Sequence, residues 1–225
     1  MNAVLYESRA RVLSPDAQIP WKEIAGKIRA PRGKVVVAMH PMPDRIGDIL
    51  IPEKTGMKAD VGTVVASPGY TQKIKGQLID FPDPGTVVIV HPEDGSVVEF
   101  EGHTLKSIGA FLGEAEWTPT AYDWFLSIVA SIEDMKVTAY GENIIVQLDE
   151  KPKSMGGILL PDSAQRWNAD ATVASVGPLH QDCQPGDRVS VDMNLVTDSC
   201  LEFTLGAGYE RMHVVYPEVI SFVYA

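Results

Sequence analysis

The chain is 225 residues long and acidic, with a net charge of −11 from 30 acidic and 19 basic residues. Nucleic-acid backbones and anionic membrane surfaces both attract basic faces, so this charge disfavours both as partners. The length allows one large domain or two domains of about 100 residues each. Apolar residues make up 45% of the chain, which is enough for each domain to bury a core.

The N-terminal arm, residues 1–32, lacks the apolar core of a signal peptide. Within the arm, Pro20 to Ile28 predicts a short helix with Ile24 and Ile28 on one face. The longest nearly apolar run of the chain, residues 124–132, is too short to span a bilayer. We therefore expect a soluble protein that works in a cytoplasm.

From residue 33 onward the sequence contains a repeat. GKVVVAMHPMPDRIGDILIPEKTGMKADVGTVVASPG, which begins at residue 33, is similar to GENIIVQLDEKPKSMGGILLPDSAQRWNADATVASVGP, which begins at residue 141. After a loop that is eight residues shorter in the second unit, PGTVVIV matches PGDRVSV. Such self-similarity predicts two copies of one fold. The matched positions lie 108 or 109 residues apart, and they pair Gly33 with Gly141, Ile49 with Ile158, Pro52 with Pro161 and Thr63 with Thr172.

The repeat sets the predicted domain limits. We expect a first domain at residues 33–113, a linker at 114–135 and a second domain at 136–225. Within each domain, short β-branched runs alternate with Gly, Pro and Asp, which predicts strands joined by turns and therefore a small barrel or sandwich. The predicted strands are residues 35–37, 62–66, 86–90, 144–148, 171–176 and 188–191.

The sequence of the linker predicts a helix. Thr118 is a suitable N-cap, and Pro119 would occupy the first helical position. The helix would carry one apolar stripe made of Tyr122, Phe125, Leu126, Val129 and Ile132. Two roles remain open for this stripe, because it would pack either on the protein's own domains or on another subunit.

The sequence contains no pattern of residues typical of catalysis or metal binding. The five histidines are scattered without ligand spacing, and Cys183 and Cys200 form no CxxC pair. We expect two free, partly buried thiols rather than a disulfide. Gly206-Ala207-Gly208 begins like a dinucleotide fingerprint but lacks the third glycine and the following helix. We therefore expect a binding protein, not an enzyme, without cofactor or metal.

Two aliphatic tripeptides are the candidate binding residues. Each lies in a polar, proline-containing stretch, where exposed aliphatic side chains would lower solubility. Either the tripeptide is a strand buried in its own barrel, or it docks in an apolar groove of a partner. The tripeptides are Ile49, Leu50 and Ile51 in the first copy and Ile158, Leu159 and Leu160 in the second. The flanking hinge residues are Gly47 and Pro52, and Gly156, Gly157 and Pro161.

The second unit resembles the chaperonin-10 (GroES-like) family over residues 136–225. ENIIVQLDE resembles the family's first strand, and KSMGGILLPDSA resembles its mobile loop. ATVASVGP, QPGDRVSV and GYERMHVVYPEVISFVYA resemble the later strands and the closing segment. The first unit, residues 33–112, is similar to the family more loosely.

The resemblance implies an all-β fold: two tandem GroES-like, partly open β-barrels with an N-terminal arm and a short helical linker. It also implies that the tripeptides dock between two helices of a chaperonin-60 subunit, so that a homo-oligomer caps the folding chamber. Binding that orders a loop is weak for each loop, so such caps depend on several loops together.

The sequence departs from the family in two places, and the number of its domains does not suit the family's rings. Asp48 replaces the second loop glycine, and the roof hairpin expected after Pro178 is cut to LHQDCQ. Family rings have seven positions, which a whole number of two-domain chains cannot fill. A rival function therefore stays open, in which the fold is reused as a virion decoration or cement protein bound to a major capsid protein. In that case the protein would act in a virion rather than in a host cytoplasm.

Overall fold

The computed structural model describes residues 11–13, 19–31, 34–40, 45–46, 49–50, 60–68, 71–74, 77–91, 95–109, 128–133, 136–149, 154–155, 158–159, 170–192, 201–205 and 210–224. These ranges are mostly strand, which confirms the predicted all-β class. Their helical elements are one short helix, α1 (Trp21–Ala25), and a 3₁₀ turn, Pro217–Val219. Helix α1 lies within the helix predicted for Pro20 to Ile28 and buries Ile24, but it ends at Ala25, so that Ile28 lies outside it.

The strands follow one another in two groups along the chain. The arm and the first half contain β1 (Arg11–Leu13), β2 (Lys34–Met39), β3 (Arg45–Ile46), β4 (Ile49–Leu50), β5 (Asp60–Ala66), β6 (Thr71–Ile74), β7 (Gln77–Asp80), β8 (Val87–Val90), β9 (Ser96–Phe100) and β10 (His103–Gly109). The second half contains β11 (Ile128–Glu133), β12 (Lys136–Ala139), β13 (Ile144–Leu148), β14 (Ser154–Met155), β15 (Ile158–Leu159), β16 (Asp170–Val176), β17 (Arg188–Val191), β18 (Leu201–Leu205), β19 (Glu210–Val215) and β20 (Ile220–Val223).

Two seven-stranded sheets share one strand order over six strands. The first sheet contains β9-β10-β2-β5-β8-β11, and the second contains β18-β19-β13-β16-β17-β20. Matching bulges interrupt corresponding strand pairs, between Val36 and Val37 in β2 and between Ile145 and Val146 in β13. The seventh strand differs, because β12 extends the first sheet beyond β11 and β1 pairs in parallel with β18 of the second.

Each sheet encloses its own inner core. In the first sheet this core contains residues of the four neighbouring strands β2, β5, β8 and β10, as expected for the inner face of a partly open barrel. Its buried members are Val35, Val37, Val64, Val88, Val90 and Ile108. In the second sheet the inner core is Ile144, Val146, Leu148, Ala171, Val173, Cys183, Val189, Val191, Val215 and Val219.

The outer faces are covered as well. Alternate residues of a strand point to opposite faces, yet the four residues 35–38 of β2 are all buried. Residues of the arm cover part of this outer face, with Ile24 of α1 packed among Val36, Val65 and Leu105. Residues 19–30 of the arm therefore pack on the first unit, whereas β1 of the arm belongs to the second sheet.

A third core, here called the joint core, joins the two sheets. From the first sheet it contains residues of β5, β8, β11 and β12, and from the second it contains residues of β13, β18 and β19. Its members are Val61, Ile89, Val129, Ala130, Ala139, Ile145, Leu201, Phe203, Met212 and Val214. The two units thus share buried apolar surface and are not two separate domains joined only by a linker.

The predicted helical linker is wrong where the structure describes it. Residues 128–133 form β11, which pairs with β8 and β12, whereas residues 114–127 lie outside the described residues. Val129 and Ile132 are three residues apart, which is also the spacing of neighbours on one face of a helix. In the structure a bulge between Ile128 and Ala130 shifts the alternation of the strand, so that Val129, Ala130 and Ile132 all reach the joint core.

The sheet membership also differs from the predicted domain limits. Strands β11 and β12 belong to the first sheet, although they follow residue 113 and β12 lies in the predicted second domain. The sequence repeat marks only the strands that the two units share, and it cannot show a strand that crosses between them.

Candidate partner-binding loops

Each unit carries a long loop between its first two shared strands. Residues 40–59 join β2 to β5, and residues 149–169 join β13 to β16. Beyond the first residue of each loop, the structure describes only two short hairpins within them, β3–β4 and β14–β15. Each hairpin is a two-stranded sheet of its own, separate from the seven-stranded sheets.

The two hairpins have the same register. Arg45 pairs with Leu50 and Ile46 with Ile49 in the first, and Ser154 pairs with Leu159 and Met155 with Ile158 in the second. Two residues separate the strands in each case, Gly47-Asp48 and Gly156-Gly157, and these four residues lie outside the described residues. The repeated sequence therefore forms strand pairs of the same register in both copies.

The predicted site residues are only partly placed. The backbones of Ile49, Leu50, Ile158 and Leu159 belong to the hairpins rather than to either seven-stranded sheet, which disfavours the alternative that they are barrel strands. The remaining predicted positions, Ile51, Leu160, Gly47, Pro52, Gly156, Gly157 and Pro161, lie outside the described residues.

The base of the first loop is fixed by two hydrogen bonds. The His40 N–H donates to the carbonyl of Val61 at 2.8 Å, where the chain leaves β2 and re-enters β5. The His40 Nε2 atom also lies 2.8 Å from Thr63 Oγ1. The sequence alone does not reveal this role of His40, because Thr63 lies 23 residues away and approaches it only through the pairing of β2 with β5.

The base of the second loop is fixed in the corresponding place by an ion pair. The Asp149 N–H donates to the carbonyl of Asp170 at 3.0 Å. The Arg188 guanidinium forms a two-pronged bond to the Asp149 carboxylate, with both distances 2.6 Å, and donates to Thr172 Oγ1 at 3.0 Å. The hydrogen bond from Arg188 lowers the pKa of Asp149 below its ordinary value. Two different side-chain pairs thus hold two equivalent loop bases.

A metal site, a disulfide and a membrane span each place requirements on the described residues. They contain no group of three or more His, Cys, Asp or Glu side chains placed to hold a metal ion. Cys183 is a free thiol buried in the inner core of the second unit, as predicted, whereas Cys200 lies outside the described residues. Within the same ranges no helix is long and apolar enough to cross a membrane.

The roof of the two units also differs. In the first unit β6 and β7 form a hairpin over residues 71–80. In the second unit the corresponding residues, 179–184, form only turns and irregular backbone. The shortened roof predicted for the second unit is therefore present.

Comparison with known proteins finds similarity within the second half of the chain. Residues 136–198 match the family model of the chaperonin 10 Kd subunit. The co-chaperonin GroES of Fervidobacterium nodosum is 41% identical over 58 residues, and that of Pseudothermotoga lettingae is 45% identical over 58 residues. Each match covers 24% of this chain and 65% of the relative, so the chain spans 65% of the length of these curated relatives. The matched family segment contains the second loop and its hairpin.

Proposed function

We propose that this chain is a co-chaperonin-like binding protein that caps a chaperonin-60 ring through the aliphatic tripeptides of its two loops. The observation that carries the proposal is the pair of hairpins with one register, each separate from the seven-stranded sheets. The second hairpin lies in the segment similar to chaperonin-10, which supports chaperonin-60 as the kind of partner. The protein would catalyse no reaction, need no cofactor and act in the cytoplasm as a homo-oligomer.

We further propose that both halves are chaperonin-10 units. The shared order of six strands and the matching bulges support this, because unrelated folds would not repeat such details. Each chain then presents two loops that the joint core holds in a fixed relation. Two weak docking segments on one rigid body bind far more tightly together than either one alone.

The test measures binding of the full chain to a purified chaperonin-60 ring, with and without nucleotide. Leu159→Asp and Leu50→Asp should each weaken binding by about tenfold or more, because an aliphatic anchor in an apolar groove would become charged. Ala174→Asp is the matched control, since it adds the same charge at an exposed position of β16, outside the loops. Thermal melting of each variant shows whether the domains remain folded.

Two results would contradict the proposal. If the full chain shows no binding to chaperonin-60 under any nucleotide condition, the capping role is wrong. If Leu159→Asp lowers the melting temperature strongly, the leucine is a core residue and not an anchor. A chain that does not bind chaperonin-60 but binds to capsids would support the rival structural role in a virion.

A further inference from the structure

The second unit contacts the first through the outer face of its own sheet, here called the docking face. On this face Ile145 of β13 and Met212 of β19 are buried in the joint core, together with residues of the first sheet. Strand β12 contacts the neighbouring strand β16, where the Ala139 N–H donates to Ser175 Oγ at 3.0 Å. Because β12 pairs with β11, the strands that cover the docking face of the second unit belong to the first sheet.

The first unit has a docking face of the same kind. Strand β2 pairs with β5 and β10 in the same register in which β13 pairs with β16 and β19, with the bulge included. Positions on the two docking faces can therefore be matched one to one. Three matched pairs are Val36 with Ile145, Ala66 with Ser175, and Leu105 with Met212.

The arm covers the docking face of the first unit. The three residues of the first unit in these pairs are buried in one cluster with Ile24 of α1. Ile19, Trp21 and Ile28 of the arm pack against the same cluster. Residues 19–30 therefore lie on the first unit where β11 and β12 lie on the second. Both segments also lead directly into the first shared strand of the unit that they cover, which is β2 in one case and β13 in the other.

The arm leaves one side of this docking face open. Val98 on β9 lies opposite Leu105, as Phe203 on β18 lies opposite Met212, so Val98 and Phe203 are counterparts. Val98 is 57% exposed, whereas Phe203 is fully buried in the joint core. An apolar side chain thus stays in solvent at a position that is an interface position in the other unit. This exposure indicates that the first docking face retains the apolar character of a binding surface.

The arm is held less firmly than the joint between the units. Helix α1 has five residues, and no side-chain hydrogen bond caps its N-terminus. A helix of this length is not stable alone, so α1 depends on its packing against the sheet. Within α1 the one buried residue is Ile24, whereas the joint core contains ten buried residues from both units. Weakly packed segments open locally before a protein unfolds as a whole, so we expect the arm to leave the docking face before the two units separate.

We propose that residues 19–30 are an autoinhibitory cap, which takes the place of a neighbouring unit and keeps any further unit off the docking face of the first unit. The partner that the cap excludes is a second copy of this chain, because the matching face of the second unit binds a unit of the same kind within the chain. The apparent affinity for that copy is the intrinsic affinity reduced by the fraction of chains whose cap is open. The cap lies outside the two loops, so it does not depend on chaperonin-60.

The first experiment compares the mass of the full wild-type chain with that of Ile24→Asp, by light scattering and native mass spectrometry over a wide range of concentration and without chaperonin. A charge at Ile24 should release the cap from its apolar face, so the variant should self-associate with a dissociation constant about tenfold or more below that of the wild type. Arg29→Asp is the matched control, because Arg29 is exposed in the same segment and its replacement should leave the mass unchanged. An Ile24→Asp chain that associates no more than the wild type would overturn the proposal.

The second experiment separates association through the docking face from unspecific aggregation. Val98→Asp and Val97→Asp are introduced separately into the Ile24→Asp chain. Both valines are more than half exposed on β9, but neighbouring residues of a strand point to opposite faces, so only Val98 lies on the docking face. Val98→Asp should therefore abolish the added association, whereas Val97→Asp should preserve it. Equal effects of the two substitutions would show that the association does not use this face, and the proposal would fail.

Hydrogen exchange of the wild-type chain tests whether the cap opens. The amides of Ile24 and Gly26 donate to the carbonyls of Pro20 and Lys22, and they should exchange through a local opening, at a lower free energy than the amides of β2 and β12. Exchange of these amides only together with those of β2 would show that the arm is a permanent part of the first unit, and this result would also overturn the proposal. Binding of the loops to chaperonin-60 is measured separately, and its failure would leave each of these results unchanged.

Discussion

Trp21 lies directly against Gly85, so that a Cβ atom added at Gly85 would be 2.6 Å from Trp21 Cζ2. Gly85 also has φ of +98°, a conformation that residues with a side chain rarely adopt. This contact ties the arm to the turn before β8. Together with the burial of Ile24, it helps to hold a short helix without a side-chain N-cap on the first unit.

We predict that Gly85→Ala destabilises the protein more than Gly186→Ala. The two glycines occupy matching turns with φ of +98° and +96°, so both substitutions cost about 1–2 kcal/mol in backbone strain. Only at Gly85 must the new methyl group also displace an aromatic ring, because nothing lies within 4 Å at Gly186. Urea unfolding measures the difference, and equal losses for the two variants would show that the Trp21 contact carries no stability.

The ion pair at the second loop base predicts a pH-dependent contribution to stability. Because Arg188 lowers the pKa of Asp149 in the folded state, the pair stabilises above the unfolded pKa of about 3.9, and this contribution is lost as the pH falls through the folded pKa. Asp149→Asn should therefore lower the unfolding free energy slightly at neutral pH and not at all in strong acid. The loss stays small because both side chains are partly exposed.

Urea unfolding over a series of pH values checks this expectation. Glu218→Gln serves as the control, since Glu218 is exposed in the 3₁₀ turn, away from the loop bases. A difference between Asp149→Asn and wild type that is the same at acidic and neutral pH would argue against the ion pair as its cause.

Cys183 should react slowly with thiol reagents. Burial raises the pKa of its thiol, and the nearby carboxylates of Asp187 and Asp182 raise it further, so the reactive thiolate is scarce at neutral pH. In a Cys200→Ser background, labelling of the native chain should be much slower than labelling in denaturant. Equal rates in the two conditions would mean that Cys183 is accessible in the folded protein.

The strands were predictable from sequence because their signals are local. Each of the six predicted runs overlaps a strand of the structure, since β-branched residues bounded by Gly, Pro and Asp leave few alternatives. The repeat further indicated that the two loops would be alike, and their hairpins share one register. The docking role of the tripeptide side chains remains a prediction.

The joint between the units was not predictable in the same way. The spacing of Val129 and Ile132 predicts a helix, whereas in β11 a bulge lets both residues reach the joint core. The pairing of β1 with β18 joins Arg11 to Phe203, two residues far apart in sequence and without a local signal. A sequence repeat reveals the strands that the two units share, whereas the contact between the units depends on residues that are not repeated.

We predict that the second unit is not stable in isolation. A fragment of residues 136–225 would keep its inner core but expose its half of the joint core, which includes Ile145, Leu201, Phe203 and Met212. Apolar patches of this kind promote self-association. The fragment should therefore aggregate or melt below the full chain, as light scattering and thermal melting would show. A soluble monomer with an unchanged melting temperature would contradict the shared core.

The joint core also predicts that the two units unfold together. Phe203→Ala removes a fully buried ring from it, and such substitutions cost about 3–5 kcal/mol. Val98→Ala is the matched control, because Val98 occupies the corresponding place in the first unit but is 57% exposed, so its loss should stay within about 0.5 kcal/mol.

In the wild-type chain, far-ultraviolet circular dichroism and tryptophan fluorescence should report one coincident transition, since unfolding either unit uncovers the apolar face of the other. Two separated transitions, with Phe203→Ala shifting only one of them, would show that the joint contributes little and that the units are independent domains.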